Sequence, residues 1–176
     1  MSLALDANII IELHVFGVWG VLTGKHQIIV TDTVLAEVDH FHDPATGDRS
    51  QINKRTDVIP CVNINNPDPV DLVAITGLFN DVFLESMHPG EREIIALAYA
   101  NKLPEDCNIC SADGPAIEAL ALMDKKDMGI SFEAVLQTAG LTKYLSYSAG
   151  VYKEANYKKA MERGAVARIQ GMHFRR

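Results

Sequence analysis

The sequence predicts an α/β protein, a sandwich of helices around a mainly parallel sheet, on three observations. Short apolar or β-branched runs recur along the chain: Leu3-Ala4-Leu5, Gln27-Ile28-Ile29-Val30 and Cys107 to Ser111. Stretches with apolar residues at helical spacing separate these runs. Helix-start signals stand at Thr31-Asp32-Thr33, Asn66-Pro67-Asp68-Pro69 and His88-Pro89-Gly90-Glu91. Strand alternating with helix is the pattern of a parallel sheet covered by helices.

Each element has its own warrant. The first run ends in Asp6 and is too brief for a helix, which makes it a buried strand. From Asn8, residues Ile9, Ile10, Leu13, Phe16 and Val21 keep a helix period, weakened at its end by Gly17 and Gly20. The run at 27–30 is a strand, and the helix after it places Val34, Leu35, Val38 and Phe41 on one face. Residues 43–57 are polar, contain Pro and Gly, and read as a loop or insertion. A short strand is expected at Val58 to Val62. Pro69 suits the first turn of a helix reaching to about Phe83. Another helix runs from Glu91 to about Lys102, and its middle, Ile94 to Ala100, is apolar nearly all round, as in a helix buried within a fold. A strand at 107–111, a Pro115-led helix to Lys125, an extended piece at Met128 to Ser131 and a core helix to Ala139 follow.

A chain of 176 residues, 48% of them hydrophobic, holds enough apolar side chain for a sizeable core and excludes a disordered or fibrous protein. The formal net charge of −7 argues against gripping phosphates by bulk charge. That charge is unevenly placed. Residues 141–176 hold eight Lys or Arg against two acids, a balance of +6, which leaves −13 for the first 140. The division expected is a domain at 1–140 and a basic helical extension at 141–176. Tyr144, Tyr147, Tyr152 and Tyr157 give the extension a mixture able to meet phosphates and bases, or else to pack on the core. Three Cys make no disulfide scaffold and suit a reducing, cytoplasmic location. The N-terminus lacks a basic n-region, and the most apolar run, Ile9 to Leu22, is interrupted by Glu12 and His14, so neither a signal peptide nor a membrane span is expected.

Several motifs lead nowhere. Gly20 to His26 resembles a phosphate loop but is one residue short and follows a helix. Cys107-x-x-Cys110 enters a strand, whereas the reactive form opens a helix, and reads as small core residues. His40 and His42 stand in a polar run without further zinc ligands. No G-x-S-x-G elbow occurs.

What remains is a set of acids at the ends of elements. Asp6 ends the first strand and Asp113 lies just beyond the strand at 107–111, so in a parallel sheet both fall on the edge where α/β folds place their sites. Glu37 lies about 85° from the centre of its helix's apolar face, at the border of burial. Glu93 is in line with Leu97 and Ala100, and heads a buried stripe. Each has an ordinary explanation: Asp6 and Asp113 as N-caps, Glu91 and Glu93 as helix-dipole partners, Glu37 as a solvated flank. Jointly they point elsewhere. Clustered carboxylates resist ionising together unless a cation sits among them, and their hard oxygens suit Mg²⁺ or Mn²⁺. The matching chemistry is phosphodiester hydrolysis.

Leu5-Asp6-Ala7-Asn8, Thr33-x-x-x-Glu37, Gly90-Glu91-x-Glu93-Ile-Ile-Ala-Leu-Ala and Ser111-x-Asp113 occur in the order of PIN domains, which the chain resembles over residues 3–140. These are metal-dependent ribonucleases that include the toxins of toxin–antitoxin pairs. The resemblance implies a three-layer α/β/α fold and a Mg²⁺- or Mn²⁺-dependent endoribonuclease. Asp6, Glu37, Glu93 and Asp113 would be the catalytic and metal-binding acids, with Asn8 and Ser111 in support and Glu91 a rival to Glu93. It also implies RNA as substrate and an antitoxin protein as partner; separately, the basic extension could dock on the acidic domain of a second copy and give a homodimer by charge complementarity. The segments 43–57 and 141–176 lie outside it. Two other readings stay open, a catalytically quiet protein-binding module and a structure-specific DNA nuclease.

Overall fold

The computed structural model describes residues 1–42, 46–145 and 150–175. Tyr147, Arg176 and the start of the segment 43–57 lie outside the described residues.

Four parallel strands form the central sheet in the order β5-β2-β1-β6, comprising β1 (Ser2–Leu5), β2 (Gln27–Val30), β5 (Val62–Ile64) and β6 (Cys107–Cys110). β1 is central and buried along its whole length, because Leu3, Ala4 and Leu5 meet helices on both faces of the sheet. Helices on the two sides make a three-layer α/β/α sandwich, as the strand–helix alternation predicts. The chain moves outward from β1 to β2 to β5, then returns to place β6 on the other side of β1. The strand order therefore reverses between β1 and β6, and at the carboxyl ends of such a pair an α/β sheet opens a crevice.

Helices α1 (Ala7–Val15) and α2 (Trp19–Thr23) divide the stretch expected to be one helix. Gly17, at φ +64°, closes α1, and the Val18 N–H returns to the Leu13 carbonyl at 3.0 Å. Helix α3 (Asp32–Glu37) is shorter than its apolar pattern implies. Val38 turns to extended backbone, and Phe41 lies not on a helix face but in β3 (His40–His42), which pairs antiparallel with β4 (Arg49–Gln51). Part of the expected loop is thus a hairpin. The strand expected at 58–62 begins only at Val62, since Pro60 has no N–H for a ladder and residues 59–61 form a 3₁₀ turn.

The helix expected from Pro69 to Phe83 is two, α4 (Pro69–Leu78) and α5 (Asp81–Glu85). Phe79 is extended and bridges to Phe174, and Asn80 caps α5 by accepting the Phe83 N–H at 2.9 Å. Helix α6 (Pro89–Tyr99) is buried almost all round. Helices α7 (Gly114–Leu122) and α8 (Phe132–Thr138) follow, and between them Gly129 adds a single parallel bridge to Ile109 at the sheet edge.

The last helix, α9 (Glu154–Ile169), lies against α7. Its buried residues Ala160, Gly164 and Ala167 are small and spaced for one helical face. A Cβ at Gly164 would stand 2.5 Å from the Glu118 carbonyl oxygen, so the two backbones approach as closely as glycine permits. The extension's cations pair with acids of the body: Arg163 with Glu118, Arg168 with Asp124, Arg175 with Asp81 and Lys153 with Glu133. Its aromatics pack too, Tyr144 on Phe16 and Tyr152 on Phe132. The −13 and +6 portions of the chain are joined by this pairing.

Candidate functional site

The crevice at the β1/β6 reversal is built from three helix beginnings. Asp6 is the N-cap of α1 and is 2% exposed. Its Oδ1 accepts the Ile9 N–H at 2.8 Å, and its Oδ2 accepts the Ser111 hydroxyl at 2.6 Å and the Ala112 N–H at 3.1 Å. Burial raises the Asp6 carboxyl above its ordinary value although these three bonds favour its charged form. Ser111, at the end of β6, also accepts the Asp113 N–H at 2.9 Å. Asp113 precedes α7 without capping it through its side chain, and its Oδ2 is buried with no hydrogen-bond partner.

The third acid is Glu91. It is 4% exposed in the first turn of α6 and folds back so that Oε2 accepts the His88 N–H at 2.9 Å. Burial, a hydrogen bond to the Asp113 carboxyl and the charges of Asp113 and Asp6 push Glu91 up to about 9. Glu91 therefore keeps its proton at neutral pH. Glu37, the last residue of α3, is exposed at the mouth. Its Oε2 lies 3.5 Å from where a Cβ on Gly90 would stand. Asp6, Asn8, Ile11, Glu37, His88 and Glu91 all line one cavity of about 320 Å³.

The structure thus brings together Asp6, Ser111, Asp113 and Glu91, with Glu37 and Asn8 at the opening. Glu93 is elsewhere: its Oε1 accepts the Thr33 hydroxyl at 2.7 Å, tying α6 to α3, and its Oε2 is buried without a partner. Glu91, not Glu93, stands beside Asp6 and Asp113. The helical period gave no purchase here, because α6 buries Gly90, Glu91 and Ile94 to Ala98 and has almost no solvent face to contrast with. The signal that separates the two is position relative to the helix start. An acid three residues after His88 at a Pro-led N-terminus folds back toward that end, which here meets the crevice.

Among the described residues, no three His, Cys, Asp or Glu side chains already form a metal cage. The donor set nonetheless fits a hard divalent cation, since it consists of carboxyl oxygens, one of them buried and unpartnered at Asp113, and a cation would displace the proton of Glu91. The cysteines of β6 take no part. Cys107 and Cys110 are buried free thiols, and burial pushes Cys107 up to about 11.

No protein-family model matches the chain, and no curated protein or solved structure matches it either. Among the described residues no helix is long and apolar enough to cross a membrane.

Proposed function

We propose that the protein is a PIN-like, Mg²⁺- or Mn²⁺-dependent endoribonuclease whose site is the crevice at the β1/β6 reversal. The observation that carries this reading is the meeting of two buried carboxyl groups, Asp6 and Glu91, with the half-buried Asp113, whose Oδ2 is itself buried, where the strand order reverses. Buried acids so close are costly for the fold unless a cation is their purpose.

Asp6, Glu91 and Asp113 would hold the cation, with Glu37 facing it from the mouth. A bound Mg²⁺ or Mn²⁺ supplies a more acidic water and shields the charge that develops on the phosphodiester. The chain's own groups prepare the site for that. Ser111 and the N–H groups of Ile9 and Ala112 fix both oxygens of Asp6, and the His88 N–H fixes Glu91. The buried surroundings exclude bulk water, while the exposed Asn8 amide and Glu37 carboxylate are the groups a phosphate and its attacking water meet first. The same reading carries a cytoplasmic location and the partner of a toxin, an antitoxin protein.

The test is cleavage of end-labelled single-stranded RNA with Mg²⁺ or Mn²⁺, with excess EDTA, and by the Asp6→Asn variant. Metal-dependent cleavage lost in the variant supports the proposal. Undiminished activity in EDTA overturns it. Cleavage confined to branched DNA points to a DNA nuclease, and no cleavage at all to a binding module.

A further inference from the structure

The acidic crevice poses a problem that its own lining does not solve. RNA brings a phosphate at every nucleotide, and phosphate affinity comes from Lys and Arg. Yet the cavity is lined by Asp6, Asn8, Glu37 and Glu91 with no Lys or Arg among its described residues. Lys54, whose Nζ donates to the Ala36 carbonyl at 2.7 Å, stands beside Glu37 on one side, and on the side of Asp113 a cation comes from α9. A Cβ on Gly114, the residue after Asp113, would stand 3.1 Å from the Arg163 Nη2. The guanidinium therefore lies at the first turn of α7, next to the site.

Arg163 is anchored there. Glu118 Oε1 accepts its Nε at 2.7 Å and its Nη2 at 2.6 Å. A guanidinium has five N–H donors, so most of its capacity stays free, and the Arg163 side chain is 57% exposed. One turn earlier on α9, Lys159 has no ion-pair partner among the described residues. It lines with Arg163, Glu118 and Glu162 a groove of about 560 Å³ along α9 beside α7, in which Glu118 is taken up by Arg163. A fixed fork beside the acids and a free ammonium one turn away form a two-step path for a polyanion.

We infer that Arg163, held by Glu118 at the first turn of α7, binds a substrate phosphate flanking the acidic crevice, and that Lys159 takes a neighbouring phosphate along the α7/α9 groove. The inference rests on the nuclease reading and adds to it the side from which the strand arrives. The extension 141–176 then belongs to the substrate interface through Arg163 and Lys159.

The experiment is steady-state cleavage of a labelled 20-nucleotide single-stranded RNA of mixed sequence, from low to high salt, by the full chain and by Arg163→Gln, Lys159→Gln and Arg168→Gln. Arg163→Gln and Lys159→Gln should each raise KM about five- to tenfold with kcat within about twofold. Each should also make log(kcat/KM) against log[salt] shallower by about 0.7, the share of one phosphate contact on a single strand. Arg168→Gln, on the same helix but paired with Asp124 at the far end of α7, should change neither. Lys159→Gln, at an exposed position with no ion pair among the described residues, decides the matter if Arg163→Gln unfolds. Wild-type KM and salt slope in the variants overturn the inference while the nuclease reading stands. A wild-type chain that cleaves no RNA overturns both.

Discussion

The Ser111 hydroxyl donates to Asp6 Oδ2 at 2.6 Å, while its oxygen accepts the Asp113 backbone N–H at 2.9 Å. One small side chain therefore ties the ends of β1 and β6 and sets the spacing of two acids. In Ser111→Ala, Asp6 Oδ2 keeps only the Ala112 N–H, and the Asp113 N–H loses its partner. Leaving such groups unsatisfied costs about 1–3 kcal/mol. The thermal midpoint should fall by roughly 2–12 °C at a size of about 150–250 residues. An unchanged midpoint means that the hydroxyl does not hold the strands together.

Glu91 and Glu93 are two residues apart and face different partners, Asp113 and Thr33. Glu91→Gln should reduce RNA cleavage at least about 100-fold, the order expected when a group at the reacting centre is removed. Glu93→Gln should cost less than about fivefold and act through the α3–α6 contact. Equal losses would show that the crevice is not the reacting centre.

Stability without metal should depend on pH in a direction set by Glu91. Its folded value of about 9 lies above its ordinary 4.5, so the folded state keeps a proton that the unfolded chain releases between these limits. The stabilisation is whole below about pH 4.5 and is lost as pH rises through about 9. Asp6, also raised, acts in the same sense. In EDTA the thermal midpoint should therefore decline from pH 5 to pH 9, and Glu91→Gln should flatten the decline. At pH 8, Mg²⁺ or Mn²⁺ at 100 times its Kd should restore about 2.7 kcal/mol. Wild-type and Glu91→Gln profiles of equal slope would remove Glu91 from the account.

Gly164→Val tests the α7/α9 seam. A Cβ there meets the Glu118 carbonyl oxygen at 2.5 Å and the Ala121 Cβ at 2.9 Å, and backbone cannot step aside as a flexible side chain can. Overpacking of this kind costs about 1–3 kcal/mol. Thermal unfolding should show that loss, with RNA cleavage weakened at low substrate as Arg163 shifts. A variant as stable as the parent would mean that the helices are not in close contact.

The parts legible in the sequence are those where one local rule decides. The limits of β2 follow from four residues between polar neighbours, and the positions of Asp6 and Asp113 follow from strand ends in a parallel sheet. Legibility fails where two rules compete. Pro60 lies inside an apolar run but cannot join a ladder, so β5 starts later than the run does. Phe79 continues the apolar spacing of α4 but is drawn into extended backbone by Phe174, nearly 100 residues away. Arg163 escaped because the charge of the extension reads as a separate module. The small faces of Ala160, Gly164 and Ala167 are the sequence sign that α9 docks closely on a neighbour.

The place of β1 in the sheet has a consequence for biosynthesis. Of the strands of this sheet it is made first, yet it lies between β2 and β6, and only β2 follows promptly. From residue 30 to residue 107 the other edge of a strand with three apolar residues out of four stands unpaired. At about 5–20 residues per second that interval lasts on the order of 4–15 s. An open apolar edge is a template for the wrong partner, including the same strand of a neighbouring nascent chain. Yield in cells should thus depend on how quickly the ribosome crosses this middle stretch, and on chaperones that cover β1 until β6 emerges.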